Sequence, residues 1–196
     1  MKTIYPKLRM LTTFRFAISL FFVLSSSSGR AQIAAWQFGT PATVGNEEFA
    51  PATMYNPKIV QPIITRGDGI QAHNLARGFS AINWMLPGID DDFNSAVGGG
   101  NYYEFIIKSE RHYKLAISSI SARLRRSTNG PSRFQWAYKI NNIGSFIPIG
   151  STYKTLRNAV EEGELITVNT SAIADLQAKY ETDKIPLTIR LYAWYA

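Results

Sequence analysis

The sequence predicts an all-β fold: an antiparallel two-sheet sandwich with jelly-roll-like connections and at most one or two short helices. Three observations predict it. Apolar and polar residues alternate with a period of two over residues 102–108, 113–126 and 133–139. Aromatic residues are abundant, with 11 Phe, 10 Tyr and 4 Trp, and rings suit half-buried pleated surfaces. Glycines and prolines punctuate these stretches and do not interrupt them.

The elements follow in order. Residues 1–31 read as a secretory signal peptide. Lys2, Lys7, Arg9 and Arg15 precede or enter the apolar run 16–24, four serines follow, and Gly29-Arg30-Ala31 supplies a small-x-small cleavage site. The run is short for a membrane span; an uncleaved anchor is the alternative. Residues 32–196 form one domain, large enough for a sizeable core. Residues 33–38 read as a first strand with Trp36 and Phe38 on one face. Residues 39–62 form a long connection rich in Pro, Thr, Asn and Gly. Residues 60–65 read as a strand broken by Pro62, which favours a sheet edge. Arg66-Gly67-Asp68-Gly69-Ile70 is a turn, residues 79–86 a strand stopped by Pro87-Gly88, and residues 90–100 a loop.

Residues 102–108 give the next strand, and residues 109–112 turn the chain. Residues 113–117 alternate, then Ser118-Ser119 shifts the parity as a bulge does. Beyond it Ile120, Ala122, Leu124 and Arg126 share one face, with Ser121, Arg123 and Arg125 on the other. Thr128-Asn129-Gly130-Pro131 is a strong turn signal. The return strand sets Phe134, Trp136 and Tyr138 against Arg133, Gln135, Ala137 and Lys139. The pair reads as a hairpin with rings toward the core and basic groups toward solvent. Residues 146–149 and 165–168 read as short strands. Residues 171–179 read as a short helix or pair of turns, with Ser171 as N-cap and Ile173, Leu176 and Tyr180 at helical spacing. Residues 187–194 form the last strand. No repeat of fixed period is present.

Composition excludes some function classes. The formal charge is +7, from 21 Lys+Arg and 14 Asp+Glu. The first 31 residues hold five of the basic residues and none of the acidic ones, so the remaining 165 carry 16 against 14, or +2. That balance and the opposite faces of rings and cations argue against a nucleic-acid surface. Cysteine is absent, although export would permit disulfides. His73 and His112 lack zinc-site spacing, and no nucleophile-elbow or phosphate-loop motif is present. The expectation is therefore a non-enzyme without a cofactor. The one metal worth weighing is a structural Ca²⁺, with Asp90, Asp91, Asp92 and Asn94 as clustered oxygen ligands; a solvated acidic loop is the plainer reading. Arg66-Gly67-Asp68 matches an adhesion tripeptide, but a glycine-dependent turn accounts for it.

Glu104, alone among apolar neighbours, calls for a cationic partner, and Arg125 or Arg126 are within sequence reach of that role. A glycosidase pair of Glu104 with Asp68 or Asp92 is imaginable, but nothing in the sequence selects it. Amphipathic rings suit carbohydrate faces, which makes Trp84, Trp136, Trp194, Tyr102 and Tyr192 the candidates for sugar stacking, with Arg126 as a candidate ligand contact. Most of these rings are also natural core fillers.

Three segments, "RGDGI" (66–70), "NYYEFIIKSERHYKLAISSISARLRRSTNGPSRFQWAYKINN" (101–142) and "LTIRLYAWYA" (187–196), resemble a β-sandwich domain of secreted Bacteroidota proteins. The sharpest likeness is the Arg-Arg-Ser-x-x-Gly-Pro turn at Arg125–Pro131. The resemblance implies a non-catalytic module of exported or surface proteins. Two departures stand out. Tyr138-Lys139-Ile140-Asn141-Asn142 replaces Tyr-Ser-x-Asp-Gly, and the sequence stops at Ala196, before the strand that usually follows the Arg-x-Tyr-x-Trp segment, so that strand is dispensable or the sequence is a truncated form. The expected role is extracellular binding or accessory work, secreted or at the cell surface, with glycan or cell-surface components as partners. A module of a secreted hydrolase whose catalytic domain lies elsewhere, and a purely structural surface domain, are the alternatives.

Overall fold

A computed structural model describes residues 32–39, 44–84, 92–150, 154–155, 163–181 and 185–195. The chain divides into the units Met1–Arg30 and Ala31–Ala196, and all described residues belong to the second. The expected signal peptide, Asp90, Asp91 and the Pro87-Gly88 stop lie outside the described residues.

The elements in chain order are β1 (Ala34–Ala35), β2 (Ala50–Pro51), β3 (Met54–Tyr55), β4 (Ile63–Arg66), β5 (Gln71–Ala72), β6 (Ala81–Ile82), α1 (Phe93–Gly98), β7 (Tyr102–Ile107), β8 (Lys114–Ala116), β9 (Ser119–Leu124), β10 (Arg133–Ile140), β11 (Ile147–Pro148), β12 (Lys154–Thr155), β13 (Glu164–Asn169), a 3₁₀ turn (Ala174–Leu176), β14 (Gln177–Glu181) and β15 (Leu187–Trp194). The fold is all-β, antiparallel and sandwich-like, as the alternation predicts.

A seven-stranded sheet in the order β11-β10-β15-β7-β4-β2, with β12 also on β10, organises the domain. Its centre is the two eight-residue strands, β10 and β15, in unbroken register from Arg133↔Trp194 to Ile140↔Leu187. β7 flanks β15, with Tyr192↔Tyr102 and Arg190↔Glu104 as cross-strand partners. Because side chains alternate, one face of this sheet carries Phe105, Ile107, Phe134, Trp136, Tyr138, Leu187, Ile189 and Leu191. All of them enter the main core.

Short ribbons cover that face. β9 pairs with β13, bringing Ile120↔Val168 and Ala122↔Ile166 together, and these four pack on the core with Ile117, Leu124 and Leu176. Ile117 and Ile120 are both buried, so the strand changes parity at Ser118-Ser119 as read from the sequence. β8–β14, β5–β6 and β1–β3 complete the ribbons. Arg123 and Arg125 are exposed, as expected. Among the described residues no helix is long and apolar enough to cross a membrane.

Several expectations are corrected. β9 and β10 do not form a hairpin: β9 pairs with β13 and β10 with β15, in different sheets. A turn signal reports where the chain reverses, not which strand it then joins. The link 125–132 is long enough to cross from one layer to the other. The face of β10 expected in solvent is partly buried, with Ala137 at 0 % and Gln135 at 7 % exposure. The reason is α1, missed in the sequence, which lies over Ala137, Tyr192 and Trp194.

β4 starts after Pro62 and is not an edge, since β2 pairs with it. β1 and β6 are shorter than the strands read there. Residues 171–179 hold only the 3₁₀ turn before β14. Ser171 does not cap it; its N–H and Oγ both bond to Asn169 Oδ1, at 2.8 and 2.6 Å, so the side-chain turn at Asn169 wins over a helix start.

Candidate functional site

The face of the central sheet away from the main core carries Lys139 on β10, Thr188, Arg190 and Tyr192 on β15, and Tyr102 and Glu104 on β7, all by strand alternation. The middle of this face is a charged and aromatic cluster. Arg190 Nε donates to Glu104 Oε2 at 2.6 Å, and their side chains are 20 % and 19 % exposed. Arg190 also donates to the Tyr192 hydroxyl at 3.0 Å. The guanidinium carbon lies 3.6 Å from the Tyr102 ring centroid and 4.0 Å from that of Phe146, contacts that bind a cation through the ring quadrupole. Lys139 Nζ sits 4.3 Å from the other partner ring's centre, that of Phe146.

Tyr192 anchors the cluster from below. It is fully buried and meets Phe93, Tyr102 and Phe146 edge-on, with centroids 5.2, 5.4 and 5.8 Å away. Phe93 comes from α1, whose first turn is fixed by Asp92: Asp92 Oδ1 accepts the Ser95 N–H at 2.8 Å. Phe146 comes from the link between β10 and β11. That link turns through Asn141 and Asn142, both with φ near the left-handed region, at 56° and 55°, and Asn142 Oδ1 accepts from the Thr188 hydroxyl at 3.0 Å.

The electrostatics follow from burial and partners. Burial pushes the Arg190 pKa down, but hydrogen bonds to Tyr192 and Glu104 and the Glu104 charge outweigh it, leaving the group above its ordinary range. Burial raises the Tyr102 hydroxyl, as do Glu104 and Asp68, against the pull of Arg190. Burial also raises Tyr192. The cluster is thus a fixed cation with two protonated hydroxyls. Tyr102, Glu104, Phe146, Lys139 and Arg190 are all part-exposed, so a bound molecule meets ring faces beside polar groups.

The residues singled out from the sequence scatter. Tyr102 and Tyr192 belong to the cluster, but Tyr192 is sealed beneath it. Trp194 is 2 % exposed, against Phe93. Trp84 is 9 % exposed, with its indole N–H on Ala81 O at 3.1 Å and its edge to Tyr103. Trp136 is buried in the main core. These three tryptophans and Tyr192 present no open ring face, which corrects the sugar-stacking expectation for them; a ring that fills a core cannot also cover a sugar.

Arg126 donates to the carbonyls of Ser127, Thr128 and Gly130 at 3.3, 3.0 and 3.3 Å. It organises the turn that follows it. Glu104 has a cationic partner, as expected, but the partner is Arg190 and neither Arg125 nor Arg126. Arg66 of the Arg-Gly-Asp triplet donates to Ser80, Glu47 and Gly45 carbonyls at 2.8, 2.5 and 2.7 Å and lies on the Phe79 ring. A side chain held this way is not presented to a receptor.

Asp92 serves as N-cap of α1, with its carboxyl held below the usual range by the Ser95 N–H, and Asn94 is exposed in the first turn. Among the described residues no three His, Cys, Asp or Glu side chains stand together as metal ligands. Sequence reading missed Arg190 and Phe146. The cue for Arg190 was present, because a lone charge inside the apolar strand 187–194 demands a partner. Phe146 gave no such cue.

No family model matches this chain, and neither a curated protein nor a solved structure matches it.

Proposed function

We propose that this chain is a non-catalytic extracellular binding or accessory domain of an exported bacterial protein, with glycan as its ligand class and the Tyr102–Phe146–Arg190 cluster as its binding surface. The observation that carries the reading is the part-exposed cluster beside α1 on the sheet face away from the main core. It offers two part-exposed rings beside a guanidinium, an ammonium and a carboxylate within one patch. Sugars present an apolar face ringed by hydroxyls, and this mixture of ring and donor groups complements both. Glu104 and Lys139 supply an acceptor and a donor for hydroxyls, while Arg190, tied to Glu104 and Tyr192, holds the rings in place. Export is supported by the basic, apolar and small-residue pattern of residues 1–31. The non-catalytic, Bacteroidota-type character is supported by the likeness of the Arg125–Pro131 turn and its flanking strands.

A glycan array tests the reading. Binding to one class of glycan, reduced roughly ten-fold by Lys139→Ala at unchanged melting temperature, is the expected result. A blank array would favour the second reading, a structural surface domain. The burial of Trp84, Trp136 and Trp194 supports that alternative.

A further inference from the structure

Cleavage after Ala31 makes Gln32 the first residue of the exported chain. The domain unit of the structure begins beside that point, at Ala31. A glutamine at a chain start has its own α-nitrogen within reach of its side-chain amide carbon, through a five-membered ring. Closing that ring requires a backbone not tied into a sheet and a side chain free to fold back.

The first ribbon leaves Gln32 in that state and ties down the residue after it. β1 pairs with β3 through Ala34↔Tyr55 and Ala35↔Met54, and the Asn56 N–H donates to the Ile33 carbonyl at 2.8 Å. Continuing this antiparallel register sets Gln32 opposite Pro57. Proline has no N–H to give to a ladder, and the chain turns away there. Asn56 Oδ1 accepts the Lys58 N–H at 2.9 Å, and the Asn56 carbonyl accepts the Ile59 N–H at 3.0 Å. The ladder therefore ends at Ile33. Gln32 is exposed, whereas Ile33 is half-buried and packs against the main core.

We propose that the exported chain begins with pyroglutamate, formed at Gln32 once residues 1–31 are removed. α-Amino groups titrate at about pH 8, so part of the population is neutral and nucleophilic at neutral pH. The α-nitrogen bonds to Cδ, the Cδ–Nε2 bond breaks, and the amide nitrogen leaves as ammonia, taking up one proton of the amine. No oxidant, metal or second substrate is needed. The product is a neutral lactam, with two consequences at this place in the fold. The terminus no longer brings a positive charge toward exposed Lys58, which follows Pro57 across the ribbon. Aminopeptidases, which bind a free α-amine, lose their hold on a segment that packs the core through Ile33, Ala34 and Trp36. The inference rests on the export reading and on the cut after Ala31, and it does not involve the glycan surface.

The test expresses the full chain in a bacterium that exports it and recovers the protein from outside the cytoplasm. Its N-terminal peptide is then read by mass spectrometry and by Edman degradation, before and after treatment with a glutaminyl cyclase. The expected peptide starts at residue 32 and is lighter than the glutamine form by one ammonia, on recovery or once the cyclase has acted. It yields no Edman signal until pyroglutamyl aminopeptidase is added. Gln32→Ala keeps a small residue after the cut and cannot close the ring, so it is expected to restore the Edman signal and to lose its first residue to an aminopeptidase that leaves the parent intact. A chain that starts at Gln32 and stays linear after cyclase treatment would overturn the proposal and leave the export reading standing. A recovered chain that starts at any other residue would overturn it together with the cut after Ala31, and a chain that keeps residues 1–31 and stays in the cytoplasm would overturn the export reading as well.

Discussion

Arg190 and Glu104 are each the only charge within an apolar strand, and they face each other across β15 and β7. The demand for a partner was legible in the sequence for Glu104. Its identity was not, because the two lie 86 positions apart and only the register of β15 on β7 brings them together. Removing one member leaves the other half-buried and unpaired. Arg190→Met should therefore destabilise the domain by about 2 kcal/mol, less than a fully buried pair would cost because water still reaches both groups. The double variant Arg190→Met/Glu104→Gln should recover part of that loss, and urea unfolding of the four members of the cycle measures the coupling. Additive losses would show that the rings, not the ion pair, hold Arg190 in place.

Glycines separate in the same way at this scale. A Cβ on Gly69 would stand 1.9 Å from the Gly99 carbonyl, and one on Gly67 would stand 2.2 Å from that of Gly100, whereas Gly98 has open space around it. Gly69→Ala should cost roughly 3 kcal/mol or more through overpacking against backbone. Gly98→Ala, at the end of α1, should be neutral or stabilise by up to about 1 kcal/mol. Thermal melts of the two variants distinguish a close-packed turn from a merely flexible one. The sequence marked 66–70 as a turn; it did not show that the turn leans on Gly99 and Gly100.

At the scale of elements, the long alternating strands were legible and the pairings were not. β7, β10 and β15 lie where the period of two placed them, since each buries a full row of apolar residues. The hairpin expected of β9 and β10 rests on the turn signal Thr128-Asn129-Gly130-Pro131, which marks a reversal but not the pairing that follows; the loop is braced from within. Arg126 donates to three of its carbonyls, and the Tyr195 hydroxyl donates to a fourth, on Asn129, at 2.6 Å. Arg126→Ala should release the loop and cost about 1–2 kcal/mol, with Arg126→Lys recovering little, because one ammonium cannot reproduce the guanidinium fork. Hydrogen exchange should show the loss confined to residues 125–132; protection lost throughout β9 and β10 would show instead that the loop fixes the sheet order. The helix α1 escaped notice because a six-residue element carries too little periodicity. Its capping aspartate, Asp92, stands in a segment that the sequence presents as a solvated acidic loop, with Ca²⁺ as the lesser reading. The Asn141-Asn142 departure has a local reason too: both residues take positive φ, which Asn tolerates as Asp and Gly do.

At the scale of the whole molecule, the central sheet is covered on both faces, by ribbons on one side and by α1 with Phe146 on the other. This is why the apparent solvent face of β10 is apolar at Ala137, and why tyrosines fill both layers. Burial raises the hydroxyl pKa of Tyr102, Tyr103, Tyr192 and Tyr195; Arg66 opposes the shift at Tyr103, and Arg190 opposes it at Tyr102 and Tyr192. In the unfolded chain these groups ionise near pH 10. A folded pKa above the unfolded one means that the unfolded state loses protons first, so the stability contributed by these groups is complete below about pH 10 and is lost as pH rises toward their folded values. Alkaline titration should then show tyrosinate absorbance in two steps, the second, from the buried tyrosines, above pH 10 and coincident with loss of the near-ultraviolet circular dichroism. Tyr103→Phe, which removes a buried hydroxyl and keeps the ring, should move the second step to higher pH. Were all tyrosinate absorbance to appear in one step near pH 10 with the tertiary signal unchanged, the two-sided cover over the central sheet would have to admit water freely, and the part-exposed cluster could no longer be a rigid platform.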